Sequence, residues 1–203
     1  MIHRITIPIE QGRDESRGML PRDDGTLLIH IPKCAGVSLR NALNLPYLGH
    51  RLLRDFSLRQ KDEAKRIVFC TRDPFERAVS TFYYLKRLER ARPLLYRAAL
   101  YPRVSSFSDF IYSSEYEMLE AHNFFFRSQF AYLEGIDDYR DKAIHLRVER
   151  LAEDIQRHFG LALPHLNATE RTLDETIDTS GNQARIREVY RVDYELLPGL
   201  VSR

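Results

Sequence analysis

The sequence predicts an α/β fold, a parallel sheet flanked by helices. A single domain is expected over residues 26–203, preceded by an N-terminal strand and charged loop over 1–25. Three observations carry this expectation. TLLIHI (26–31), RIVFCT (66–71) and KAIHLRV (142–148) are short apolar runs of the kind that form buried strands. Segments with helical spacing separate them, and parallel neighbours need such crossover connections. The chain has 203 residues, 43% of them hydrophobic, which is enough for one real core.

Taken in order, residues 2–9 read as an edge strand and 10–25 as a charged loop. The run TLLIHI follows, and Pro32 stops it because proline has no backbone donor for a ladder. VSLRNAL (37–43) opens a helix that NLPYLGH (44–50) breaks. After RIVFCT, the segment DPFERAVSTFYYLKRLER offers Asp73 as N-cap and Pro74 at the first helical position. Its Phe75, Ala78, Val79, Phe82 and Tyr83 recur at helical spacing, so one face packs on the core. Residues 93–121 read as shorter helices, with Ser108 or Asp109 capping DFIYSSEYEML. KAIHLRV gives way to ERLAEDIQRHFG, a helix ending at Gly160. HLNATERTLDETIDTSGN reads as a polar loop region, and QARIREVYRVDYELL closes the chain as one amphipathic helix.

Composition narrows the function. A net charge of only +2 argues against a general polyanion binder, so no nucleic-acid partner is expected. Cys34 and Cys70 make no disulfide framework and no zinc spacing. No window approaches the roughly 20 apolar residues of a membrane span. A cytoplasmic protein is the expectation, with oligomeric state left open.

Ligands of parallel sheets bind beyond the carboxyl ends of the strands, so the loops after the first two strands hold the interest. HIPKCAGVSLR joins a strand to a helix N-terminus. Turned backbone N–H groups there suit an anion, with Lys33 adding charge, Gly36 allowing close approach and Ser38 offering a hydroxyl. The Walker pattern G-x-x-x-x-G-K-[ST] is absent, which argues against ATP or GTP hydrolysis. Cys34 and Arg40 have the C-x5-R spacing of cysteine phosphatases, although the usual glycine three after the cysteine is missing. In CTRDPFERAVSTFYY, Arg72 ends a strand and Ser80 lies in the next helix, a pair able to grip a second phosphate. Each loop alone is also compatible with a plain strand-to-helix turn.

Together the loops resemble those of the PAPS-dependent sulfotransferases, with their PKTAGTS-like and RDPxxRxxSxYY-like segments. The likeness is best to the carbohydrate-type branch and its soluble bacterial members. SFSDFI, FRSQFAYLEG, HLRVERLAEDIQRHFGL and REVYRVDYELL extend it from about residue 26 to 197. The resemblance implies a P-loop-like nucleotide-binding fold and the donor 3′-phosphoadenosine 5′-phosphosulfate (PAPS), with 3′,5′-ADP as product and no metal. It implies that Lys33, Cys34, Ala35, Gly36, Val37 and Ser38 hold the 5′-phosphosulfate, and that Arg72 and Ser80 hold the 3′-phosphate. Cys34 and Val37 stand where threonine is usual, so two hydroxyls are lost while the backbone donors remain.

The reaction needs a base near neutrality, and histidine meets that need. Of His3, His30, His50, His122, His145, His158 and His165, the resemblance favours His50 as catalytic base beside Lys33. His122 is second choice, with Glu76 and Glu120 as carboxylate alternatives. Arg51, Arg54, Tyr83, Tyr84, Arg87 and Arg90 are candidates to line a cleft for a saccharide-like or natural-product acceptor. Arg185 or Arg187 is a candidate cap on the 3′-phosphate, and Gln129 a candidate contact to nucleotide or acceptor. A cysteine-dependent phosphatase and a non-catalytic nucleotide-binding relative remain the alternatives.

Overall fold

The computed structural model describes residues 25–99, 101, 105–163 and 176–201. The expected strand at 2–9, the loop up to residue 24, His3, His165 and most of the polar loop after 164 lie outside them. The described chain is an α/β structure built on a small three-stranded parallel sheet flanked by helices.

Strands β1 (Thr26–Ile29), β2 (Arg66–Thr71) and β3 (Ala143–Arg147) lie in the order β1-β2-β3. Ile29 pairs with Phe69, and Thr71 with Arg147. All three strands therefore run the same way, and their carboxyl ends share one edge. Strand β1 stops two residues before the apolar run does, because the Ile31 N–H turns back to the Ile29 carbonyl at 3.2 Å ahead of Pro32.

Helices α1 (Gly36–Ala42) and α2 (Leu58–Glu63) lie between β1 and β2. Helix α3 (Pro74–Ala91) follows β2, and the Asp73 carboxylate accepts from the Glu76 N–H at 3.0 Å, the expected cap. After α4 (Pro93–Ala98) come α5 (Phe107–Ile111) and α6 (Ser114–His122). Their caps are Ser106 and Ser113, not Ser108 or Asp109. Ser108 instead donates to Asn182 at 3.0 Å, a partner 74 residues away. Helix α7 (Gln129–Leu133) leads to β3, and α8 (Leu151–Phe159) ends at left-handed Gly160 as expected. The closing helix is two, α9 (Ser180–Val189) and α10 (Arg191–Leu196). The break falls at buried Tyr190, whose hydroxyl meets that of Tyr116 at 3.1 Å.

Two apolar clusters organise the packing. One surrounds the sheet, with Ile29, Ile67, Val68, Phe69 and Leu146 at its centre. The other is aromatic, built by α3, α5 and α6 around Phe82, Phe110, Tyr116 and Phe126. Phe124 packs against both. Among the described residues no helix is long and apolar enough to cross a membrane.

Candidate functional site

The β1–α1 loop is kinked at two non-glycine positions, Lys33 (φ 64°) and Ala35 (φ 57°), both left-handed. Such residues cost roughly 1 kcal/mol each, and between them the Cys34 N–H turns back to the Ile31 carbonyl at 3.4 Å. The first N–H groups of α1 have no partner inside the helix. Gly36 is required for a different reason: a Cβ there would lie 1.9 Å from Cδ2 of the His30 ring. That ring is held in place, with its centroid 4.4 Å from that of His50 and 5.6 Å from that of Tyr47. We expect Gly36→Ala to destabilise the fold by about 1–3 kcal/mol through this overlap. Adding His30→Ala should recover most of the loss, and denaturant unfolding of the single and double variants checks both.

Lys33 sits deep in the loop with its Nζ 4.4 Å from the Tyr84 ring centroid. Its pKa falls from 10.5 to about 8, first through burial and then through the charges of Arg87 and Arg72. Arg87 and Arg72 are thus near enough for their charges to act on Lys33. Residues 76, 80, 84 and 87 share a face of α3, being separated by three and four positions. Glu76 on that face pairs with Arg72 at 3.3 Å, and Tyr84 meets Lys33. Half-buried Ser80 lies between them, so the face carries the hydroxyl from one loop toward the other. Ser38 is buried, whereas Val37 is exposed.

His50 approaches from the segment after α1. Its Nδ1 is 3.0 Å from the His30 carbonyl oxygen, and its ring stacks on Phe124 at 4.8 Å. A carbonyl only accepts, so Nδ1 carries the proton and the Nε2 lone pair is left for other work. Burial is the main cause of a lowered His50 pKa, with Arg77 and Lys33 adding to it. The ring is therefore neutral at pH 7. His30, pushed down to about 3 by burial and then by His50 and Arg40, never charges in that range.

Behind the loops lie three buried polar side chains. Two of them, Arg77 and Asp193, the sequence did not single out. The third is Gln129, expected as a contact to nucleotide or acceptor and found instead fully buried against the loops' own groups. The Arg77 guanidinium donates to the carbonyls of Pro32 (3.1 Å), Arg127 (2.9 Å) and Phe125 (3.3 Å), tying α3 to the first loop. The Gln129 oxygen accepts from Cys34 Sγ at 3.2 Å and from the Arg72 N–H at 2.9 Å. Asp193 in α10 accepts from the N–H groups of Gln129 and Phe130 at 2.9 and 2.8 Å. Arg77 was legible as the second arginine of RDPFER; no local signal marks Asp193.

Cys34 is buried and its pKa is pushed up to about 12, chiefly by burial. It remains a thiol at neutral pH, the opposite of what a phosphatase nucleophile needs. Arg40, the other half of that motif, rests against Tyr47 at 5.6 Å.

The other candidates separate. Arg87 and Tyr84 join Lys33, but Arg51 lies on Phe56 at 4.0 Å and Arg54 pairs with Glu134 at 3.0 Å. Tyr83 packs beside Phe82, and Arg90 is exposed. Arg185 is held by Glu117 and Glu188, next to Glu120 and away from both loops. Arg187 rests on Tyr194 at 4.7 Å. His122 and His158 are exposed on helices, while His145 binds Thr71 at 2.7 Å.

A cavity of about 460 Å³ opens at Arg72, with Pro74, Tyr194, Leu197 and Pro198 as apolar wall and Asp73, Arg147, Glu149 and Arg150 among its charged lining. Lys33 and His50 do not line it. Arg72 thus both bears on the charge of Lys33 and lines this cavity. No family model, curated protein or solved structure matches the chain. Its chemistry follows from the groups the fold brings together. Among the described residues, no group of three or more His, Cys, Asp or Glu side chains is placed to hold a metal ion.

Proposed function

We propose that this chain is a PAPS-dependent sulfotransferase acting on a hydroxyl of a saccharide-like or natural-product acceptor. The observation that carries the reading is the placement of Lys33 and Arg72 beyond adjacent parallel strands, near enough that Arg72 depresses the Lys33 pKa. Glu76 offsets one of these charges, and the remaining like charges with partial burial favour a further anion. A nucleotide with two separated anionic groups fits two loops better than one phosphate does. The cavity at Arg72 has the size and an apolar wall for the base.

PAPS supplies an activated sulfuryl group whose bond to a phosphate oxygen breaks as the acceptor oxygen bonds to sulfur. Lys33 and the N–H groups of the first loop neutralise charge on the departing phosphate. His50 takes the acceptor proton at Nε2, because its Nδ1–H is committed to the His30 carbonyl. Arg72 and Ser80 hold the 3′-phosphate, and Arg72 is itself steadied by Glu76.

Calorimetric titration with 3′,5′-ADP beside 5′-AMP tests the reading. A charge-assisted contact is worth about 1.5–3 kcal/mol, so a tenfold to hundredfold preference for 3′,5′-ADP is expected, and Arg72→Ala should remove it. Equal affinity for the two ligands would overturn the assignment of the second loop.

A further inference from the structure

Beyond the ends of β1 and β2 no ladder hydrogen bonds fix the distance between the two loops, although a ligand with two anions needs that distance set. We infer that Gln129 is the positioning residue that sets it, an inference that rests on the nucleotide reading above.

Its side chain is fully buried and reaches both loops at once. On one side Oε1 accepts from Cys34 Sγ at 3.2 Å, in the lysine loop. On the other, Oε1 accepts from the Arg72 N–H at 2.9 Å while Nε2 donates to the Arg72 carbonyl at 2.8 Å. The carboxamide thus serves Arg72 as a peptide group of a neighbouring strand would, one acceptor and one donor facing a backbone N–H and C=O. Only an amide of this length does so. A carboxylate cannot donate, leucine can do neither, and asparagine is shorter by one methylene.

The strut is itself anchored. Asp193, 1% exposed, accepts from the N–H of Gln129 and of Phe130 and so holds the first turn of α7. Arg77 fixes the carbonyls of Phe125 and Arg127 just before it, and that of Pro32 in the lysine loop. Gln129 therefore does not follow the loops when they move; they register against it.

The test compares the affinities of the full chain for 3′,5′-ADP, 5′-AMP and 3′-AMP in wild type, Gln129→Leu and Gln129→Glu, with a melting curve for each. Wild type should bind the two-anion ligand about tenfold or more tighter than either single-anion one. In Gln129→Leu the single-anion affinities should stay within about threefold of wild type while the advantage of 3′,5′-ADP falls to about threefold or less. A merely structural role would weaken all three ligands by a common factor, and that result overturns the inference, as does a preserved advantage.

If the leucine variant does not fold, Gln129→Glu decides. Its protonated carboxyl donates to the Arg72 carbonyl and its ionised form cannot, so the advantage of 3′,5′-ADP relative to wild type should grow as pH falls from about 8 to about 5.5. A profile parallel to wild type overturns the inference. No two-anion advantage in wild type would sink the nucleotide reading itself, an outcome distinct from the others.

Discussion

His50→Ala is expected to slow sulfuryl transfer to an aliphatic hydroxyl by about a hundredfold to ten-thousandfold, the span of general-base contributions. The same variant should leave almost unchanged the transfer from an aryl sulfate to 3′,5′-ADP, whose phenolate leaving group needs no proton. That pairing separates a base from a packing residue, because lost packing against Phe124 would slow both reactions. In wild type, the rate with an aliphatic acceptor should fall as acid protonates Nε2. The midpoint should lie below that of ordinary histidine, since burial, Arg77 and Lys33 lower the His50 pKa. A midpoint at or above 6.5 would count against His50, and so would equal losses in the two assays.

Lys33→Met should cost about a hundredfold to a thousandfold in turnover with either acceptor, comparable to loss of an oxyanion donor. It should also make the free protein more stable at pH 7. Wild-type Lys33 titrates at about 8 when folded and near 10.5 when its surroundings are lost. Below pH 8 the folded chain therefore holds a charge that its burial and its neighbours Arg87 and Arg72 disfavour. The cost is on the order of 3 kcal/mol and fades as pH rises from 8 toward 10.5. Methionine removes it, so the stability difference between variant and wild type should shrink over that interval. Saturating 3′,5′-ADP should narrow or reverse the difference at pH 7, because the ligand stabilises the chain that retains its cation more strongly. A methionine variant that is less stable at pH 7, yet converges with wild type by pH 10.5, would mean that Lys33 is satisfied without a ligand.

Much of this site is legible in one dimension because its two loops are local. HIPKCAG and TRDPFER each present their charge within a few residues of a strand end, and Asp73 and Pro74 announce α3. The strands are legible for the same reason: β2 is an apolar run with its turn signal attached. What stayed hidden depends on partners far along the chain. Ser106 caps α5 while Ser108 turns to Asn182, and the letters alone do not choose between two serines. The helix break at Tyr190 accompanies a hydroxyl contact to Tyr116 that no periodicity encodes. His50 was marked by its loop, yet its tautomer came from the backbone of His30, twenty residues earlier. C-x5-R spacing suggested a nucleophile at Cys34, and burial removed it.

The brace behind the loops also sets an order of events during synthesis. Cys34 meets Gln129 across 95 residues, and Gln129 meets Asp193 across 64 more. Both loops leave the ribosome early, with the residues of their turns and charges already in place. The Arg77 link to Pro32 can form once α3 is made, whereas the Gln129 brace waits for α7 and its Asp193 anchor for α10. Contacts of such long range close late in folding. A nascent chain that has passed Arg72 but not Asp193 carries both loops without the complete brace between them.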